Sequence, residues 1–377
     1  MKRSVVVAAG LAALVAAAVL VGAEVRQERE FRRLIALGET ALTNGQMFEA
    51  SEAFSGAIAF RDDSMLAYLR RGDTYRRRGD FTAALRDLRT AETLDPTAPL
   101  PVELRGDVYA AMGRHERAVE QYERYLQLDD RAPSVLYKLA LAQFLDGQPA
   151  RAVEPLRKAV ALEDRFAEAH YLLGLTLRAV KQDADALAAL MRAVALDPAF
   201  VAAREELATL YGDLQRWREA VDQLEAIAAL EPGRPERLVS VGLTYADLGR
   251  ADAAILTLGR AADRYPQSPP VYTALGRVWL ETGAVRRDAV ALSKAIEALG
   301  PVAQRADATS EALALYGRAL FLTGDVPGAE RALQQAVTRT PVDPVAYRYL
   351  AEAARRLGHV AIAGDAAARY AVLAGSQ

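Results

Sequence analysis

Enzymes are usually betrayed by nucleophiles, bases and metal ligands, and this chain of 377 residues holds few of them. It has no cysteine, which removes disulfides, thiolate zinc sites, iron–sulfur clusters and cysteine nucleophiles together. Its three histidines, His115, His170 and His359, stand far apart in the chain, and each reads as a structural or surface residue. The acidic pairs Asp62-Asp63, Asp129-Asp130 and Glu205-Glu206 are neighbours in sequence. Acid–base catalysis needs two carboxylates that face each other across a substrate. The sequence has no HExxH metal motif, no phosphate-cradling glycine loop and no nucleophile elbow. It therefore predicts no catalytic, cofactor-binding or metal-binding residue, and no cofactor. A net charge of −2 and a pI of about 6.1 supply no basic field for nucleic acid, so none is expected as a partner.

The N-terminus has a different character. Lys2 and Arg3 precede twenty uncharged residues, 4–23, and charge returns at once with Glu24, Arg26, Glu28 and Arg29. Twenty apolar residues in a helix span about 30 Å, the thickness of a bilayer core. A cationic start before an apolar run is also the pattern of a secretory signal, with Val21-Gly22-Ala23 as a cleavage site. The segment reads as a retained single-pass anchor or a signal removed near Ala23, with an ordinary buried helix as the third reading, disfavoured by the sharp return of charge on both flanks. The short cationic tail favours export of the chain beyond the apolar run, although Arg26, Arg29, Arg32 and Arg33 pull the other way and leave a cytoplasmic-facing orientation open. Arginine outnumbers lysine 42 to five, a bias associated with GC-rich bacterial genomes. The expected location is a bacterial inner membrane with the remainder outside, or the periplasm or exterior after cleavage.

From Phe31 onward the chain repeats every 34 residues. Position 8 of each unit is small: Gly38, Gly72, Gly106, Ala140, Gly174, Ala208, Gly242 and Gly276. Position 15 is usually glycine, and position 20 is alanine from Ala50 through Ala254, then Asp288. Eight units cover 31–302, seven residues (303–309) break the phase, and two further units fill 310–377. In the unit 65–98, Tyr68, Arg71, Gly72 and Tyr75 fall on one helical stripe. Gly79-Asp80 stops that helix, Ala84, Leu88 and Ala91 mark a second one, and Asp95-Pro96 ends it. Each unit is a helical hairpin with a thin apolar face that only stacking against neighbours can bury. The fold class is all-α.

These residues closely resemble the tetratricopeptide repeat. The resemblance covers 31–377 and implies a solenoid of about ten repeats, a right-handed superhelix of helical hairpins with a concave groove. It also implies a non-enzymatic scaffold that binds other proteins, as peptides or helices, in that groove. In the family the groove is lined by positions 2, 5, 9 and 12 of the first helix. Most units place charged or mixed residues there. The fourth and fifth differ, with Tyr137, Leu141 and Phe144, then Tyr171, Leu175 and Arg178, beside Leu145. These seven are the candidate partner-binding residues, because aromatic and leucine side chains carry most of the energy at such interfaces. Packing against adjacent first helices is the other reading of the same residues. The arginine-rich stretch Arg70-Arg71 and Arg76-Arg77-Arg78 lies near Asp73, Asp80 and Asp87 and reads as a self-neutralised face.

Asn44 is the only asparagine, so the family's asparagine-based ways of gripping a carboxylate tail or a glycosyltransferase substrate do not fit. Asp288 and the segment after Gly300-Pro301 predict a looser seam between the blocks 31–302 and 310–377. At the C-terminus Tyr370, Val372 and Leu373 form an apolar edge that could support self-association. The leading expectation is a membrane-tethered or exported interaction scaffold. An accessory subunit of an envelope enzyme or secretion complex is the alternative.

Overall fold

The structure is a computed structural model that describes residues 2–374, and of residues 2–18 the backbone alone. The apolar segment 4–23 therefore lies mostly outside the described side chains, as do residues 375–377. Among the described residues there is no strand. The chain divides into two compact units, Met1–Leu196 and Asp197–Gln377. This division falls between the fifth and sixth repeats, not at residues 303–309.

The first unit contains α1 (Lys2–Thr43), α2 (Met47–Phe60), α3 (Met65–Arg78), α4 (Phe81–Leu94), α5 (Leu100–Ala111), α6 (His115–Leu128), α7 (Pro133–Leu145), α8 (Pro149–Leu162), α9 (Ala167–Ala179) and α10 (Asp183–Leu196). Each odd helix pairs with the next even one, and each pair packs on its neighbours. The 34-residue period has a direct steric cause. The small residue at position 8 faces a large side chain sixteen residues later, on the returning helix. Gly72 meets Leu88, and Gly174 meets Leu190. Leu88 and Leu190 are fully buried. The alanines at position 20, Ala50, Ala84, Ala118, Ala152 and Ala186, are each 0% exposed and hold the helices close.

The turns are closed by a left-handed residue at position 15, with bonds that satisfy the last helical carbonyls. After α3, Gly79 N donates to Arg76 O (3.0 Å) and Asp80 N to Tyr75 O (2.9 Å). Lys181 occupies the same place after α9 with φ 64° and makes the same two kinds of bond, Lys181 N to Arg178 O (3.0 Å) and Gln182 N to Leu177 O (2.9 Å). The turn geometry thus survives without glycine, at the steric cost of a β-carbon in the left-handed region.

The second unit contains α11 (Val201–Asp213), α12 (Trp217–Leu230), α13 (Pro235–Asp247), α14 (Ala251–Arg264), α15 (Pro269–Arg286), α16 (Ala289–Ala303), α17 (Ser310–Thr323), α18 (Val326–Ala336), α19 (Pro344–Arg356) and α20 (Val360–Ala374). Its pairing follows the same rule, with Gly242 on Leu258 and Gly317 on Leu333. The eighth hairpin is the exception. Gly276 faces Leu299, seven residues later than the period requires, so the extra residues lie inside the α15–α16 hairpin rather than at 303–309. Gly283, counted as a turn residue, sits within α15 against Leu292, and the turn moves out to Arg287. Asp288 does not occupy the alanine's place. It caps α16, accepting from Val290 N (2.9 Å) and Ala291 N (3.3 Å), while Ala295 fills the packing position at 0% exposure. The lengthened tip carries the exposed Val285 and Val290.

No loosening marks residues 303–309. Leu292, Ala295 and Leu299 of α16 share one apolar cluster with Leu315 and Ala319 of α17, and Ala308 of the connection itself is buried. At the C-terminal end Tyr370 and Leu373 pack partly against the core, and Val372 is exposed.

Candidate partner-binding surface

Six of the seven candidate residues lie on neighbouring first helices in half-buried positions that follow from helical spacing. On α7, Leu136, Leu139, Ala140 and Gln143 turn into the core and are buried. Tyr137, Leu141 and Phe144 lie about a quarter turn away and are half-buried, and Leu145 at the end of α7 is 54% exposed. On α9, His170, Leu173, Gly174 and Leu177 face inward, while Tyr171, Leu175 and Arg178 are half-buried. Tyr171 and Arg178 both interact with other groups of the protein. The structure thus keeps α7 and α9 side by side with their aromatic and leucine stripe between core and solvent.

Phe166, the residue before α9, joins this stripe and was not among the seven. Its ring centre is 5.1 Å from that of Tyr137, with the planes tilted at 45°. Burial pushes the Tyr137 hydroxyl pKa up, and the Glu168 carboxylate adds to the effect. The ring is thus neutral at ordinary pH and offers both an apolar face and a hydroxyl donor.

One side of the stripe is bounded by an acidic network that spans two repeats. Lys138 Nζ donates to Glu103 (2.8 Å) and Asp107 (2.9 Å), both on α5. The Tyr122 hydroxyl donates to Asp107 Oδ1 at 2.8 Å. Burial opposes the charge on Lys138, but the hydrogen bonds and charges of the two carboxylates outweigh it and raise its pKa. Burial and the Asp107 charge drive the Tyr122 hydroxyl far above its usual range. Two carboxylates share one ammonium here, so the flank stays acidic. The sequence signal was present as Glu103 and Asp107 at positions 5 and 9, with Lys138 at position 6 of the next unit.

The arginine run is neutralised locally. Arg76 and Arg77 both reach Asp73, at 2.6 and 2.8 Å, Arg78 reaches Asp80 at 2.9 Å, and Arg70 reaches Glu39 at 2.6 Å. Arg71 grips the buried Asp87 with two bonds of 2.6 and 3.1 Å. Two histidines are bound within their own repeats or the adjoining one. His170 Nε2 lies 3.1 Å from Asp164 O, and His359 Nδ1 lies 2.7 Å from Glu330. Among the described residues no three acidic or imidazole side chains converge as a metal site would require. Among them, too, no helix is long and apolar enough to cross a membrane.

The profile of the tetratricopeptide repeat matches residues 35–99, 205–269, 292–344 and 317–377, more than half of the chain. The chain belongs to the tetratricopeptide repeat family. The profile of subunit 3 of the anaphase-promoting complex, or cyclosome, matches residues 111–193. Among solved structures, the C-terminal part of a tetratricopeptide repeat-containing protein from Cytophaga hutchinsonii is similar at 17% identity and a TM-score of 0.55. The match covers 65% of this chain and 99% of that one, and it shows the fold. YrrB, described as a tetratricopeptide repeat protein with an unusual peptide-binding site, matches at 22% identity and a TM-score of 0.45, over 50% of this chain and 97% of its own. MamA from Desulfovibrio magneticus matches at 25% identity and a TM-score of 0.43, over 45% and 96%. No curated protein matches the chain. The hairpins described above are therefore tetratricopeptide repeats, about ten in number, and repeats of this family mediate protein–protein interactions without catalysis of their own.

Proposed function

We propose that this protein is a non-enzymatic scaffold that captures a partner peptide or helix along the α7–α9 stripe. The residues that carry it are Tyr137, Leu141, Phe144, Leu145, Tyr171, Leu175 and Arg178. The observation behind this reading is that the aromatic and leucine side chains of two adjacent repeats stay half-buried while their neighbours one helical step away are fully buried. Ordinary core would have closed over them, and an apolar band of this kind is what a partner's side chains displace water from. The acidic flank at Glu103 and Asp107 gives the surface a direction, favouring a partner with a basic residue beside its apolar anchor.

The apolar segment 4–23 supports the further proposal that the scaffold is exported and tethered to a bacterial inner membrane, or released after cleavage near Ala23. Tethering raises the effective concentration of a modest binder. The test is a pulldown from a membrane fraction with the wild-type chain and with Tyr137→Ala combined with Phe144→Ala. Loss of bound partner at unchanged thermal stability supports the surface. Lowered stability with unchanged capture refutes it and returns these side chains to the core. Recovery of one stoichiometric enzyme would favour an accessory subunit over a scaffold with several partners.

A further inference from the structure

A second surface lies on the face formed by second helices, and it does not depend on the α7–α9 reading. Position 26 of the repeat is basic in the third, fourth, fifth and seventh repeats, as Arg124, Lys158, Arg192 and Arg260. In the first three of these it reaches back to a carboxylate of the preceding repeat. Arg124 pairs with Glu92, Lys158 with Asp130 at 3.1 Å, and Arg192 with Asp164. Those carboxylates stand at positions 28 and 32. In the sixth repeat the same two places hold Ala228 and Pro232, so Arg260 has no acid there to reach. Among the described residues Arg260 makes no hydrogen bond or ion pair.

The same alanine opens the surface. Position 28 is a bulky apolar residue in four other repeats, as Ile58, Leu126, Val160 and Val194. Beside Ala228 a cleft of about 290 Å³ lies between α12 and α14 instead. Its floor is Leu238 and Val241 of α13, with Ala228 and Thr257 in its walls and Glu225 and Arg260 at its rims. None of these residues stands at position 2, 5, 9 or 12 of a first helix, so the cleft is separate from the groove stripe. The Glu225 carboxylate accepts from the Tyr245 hydroxyl at 2.7 Å and, among the described residues, has no cationic partner. Leu256, one turn before Arg260 on the same side of α14, is 55% exposed, and Gly259 has open space where a β-carbon would stand.

We propose that the furrow between α12 and α14 seats an amphipathic helix of a partner protein. One leucine-sized side chain of that helix fills the cleft over Leu238 and Val241, and the next apolar residue along lies against Leu256. A carboxylate on one flank takes the place of the missing acid beside Arg260, and a basic residue on the other flank meets Glu225. An extended segment fits this surface poorly. The backbone groups of α12 and α14 are bonded within their own helices, so the N–H and C=O groups of an extended segment would face the apolar floor unpaired. A helix arrives with these groups already paired, and the small Ala228 and Gly259 let it approach closely.

The experiment is fluorescence anisotropy with the full chain in nanodiscs of neutral lipid, with empty discs as the blank. The probe is a labelled fourteen-residue peptide of two heptads, held helical by a lactam bridge on its outer face. It carries leucine at the first position of each heptad and alanine at the fourth, with glutamate on one flank and lysine on the other. Replacing its leucines by alanine should weaken binding at least tenfold. Replacing its glutamates by glutamine should weaken it about two- to fivefold, as loss of an exposed ion pair does. Ala228→Val restores the residue that Val160 and Val194 supply in other repeats, so it keeps the fold while closing the cleft, and should weaken binding at least tenfold. Arg260→Glu leaves both rims acidic, so a peptide with lysine on both flanks should then bind more tightly than the mixed one. Tyr137→Ala with Phe144→Ala should leave the affinity unchanged. The proposal is overturned if the probe does not bind, if the alanine peptide binds equally well, or if a proline in mid-peptide leaves binding intact. It is also overturned if Ala228→Val stays within twofold of wild type, if Arg260→Glu leaves the order of the two peptides as it was, or if Tyr137→Ala with Phe144→Ala abolishes binding.

Discussion

The same substitution, glycine to alanine inside a helix, is expected to have opposite signs at Gly174 and Gly259. Alanine is the better helix former by about 0.8–1.0 kcal/mol. Gly259 lies within α14, and a methyl group added there would meet nothing within 4 Å, so Gly259→Ala should gain that amount unopposed. At Gly174 the methyl carbon would lie 2.5 Å from Leu190 Cγ, 2.7 Å from Leu190 Cδ2 and 3.3 Å from Ala186 O. Comfortable carbon contacts need roughly 3.5–4.0 Å. Leu190 is fully buried and cannot swing aside, so α9 and α10 must separate by about 1 Å. Overpacking of this kind costs about 1–3 kcal/mol. The two variants should therefore differ by about 1–3 kcal/mol, with Gly174→Ala the less stable. Long repeat arrays unfold in parts, so the measurement is native-state hydrogen exchange of the α9–α10 and α13–α14 amides. If Gly174→Ala slows exchange in its hairpin as much as Gly259→Ala does in its own, close helix approach is not what fixes the small residue at position 8.

Three further outcomes are expected. Lys181→Gly should stabilise the α9–α10 hairpin by about 0.5–1 kcal/mol, because Lys181 carries a β-carbon at φ 64°; urea unfolding of the variant checks this. Arg71→Met should cost about 3–5 kcal/mol by stranding the buried Asp87 carboxylate, and adding Asp87→Leu should recover most of it; a double-mutant cycle reads the difference. Glu92 accepts hydrogen bonds from Arg105 and Arg124. Burial alone would raise its pKa, but the Arg124 hydrogen bond and the two arginine charges hold it below the ordinary 4.5. The unfolded chain thus binds this proton more readily, and the contribution to stability is complete above about pH 4.5 and lost as pH falls through the lowered folded value. Glu92→Gln should flatten the acid limb of a thermal-unfolding profile while lowering stability near neutrality.

The repeat was readable from sequence because its cause is local and recurrent: a small residue at position 8, a large one sixteen residues on, and an alanine between them. The place of the seven extra residues was not readable. A break in period shows only that residues were added between the last matched position and the first one matched again. Gly283 looked like a turn glycine because it falls at position 15, yet it packs on Leu292 inside a longer hairpin. The α7–α9 stripe emerged from counting along helices, whereas Phe166 escaped because it precedes the helix being counted.

The eighth hairpin is lengthened by about one turn in each of its two helices, and that arithmetic governs how the array can change. Seven residues make two turns to within about 20°. Gly276 and Leu299 therefore meet at the base as their counterparts do elsewhere, and Gly283 and Leu292 repeat the same meeting seven residues further out on each helix. An insertion of three or five residues would rotate one helix's apolar face away from its mate. The protein thus has two separate axes of growth: whole repeats extend the stack, and a heptad placed at a turn widens a single rib without dephasing the rest. Foreign sequence inserted at the tip between Val285 and Val290 should obey the same quantum, which makes that rib a natural insertion point for engineering.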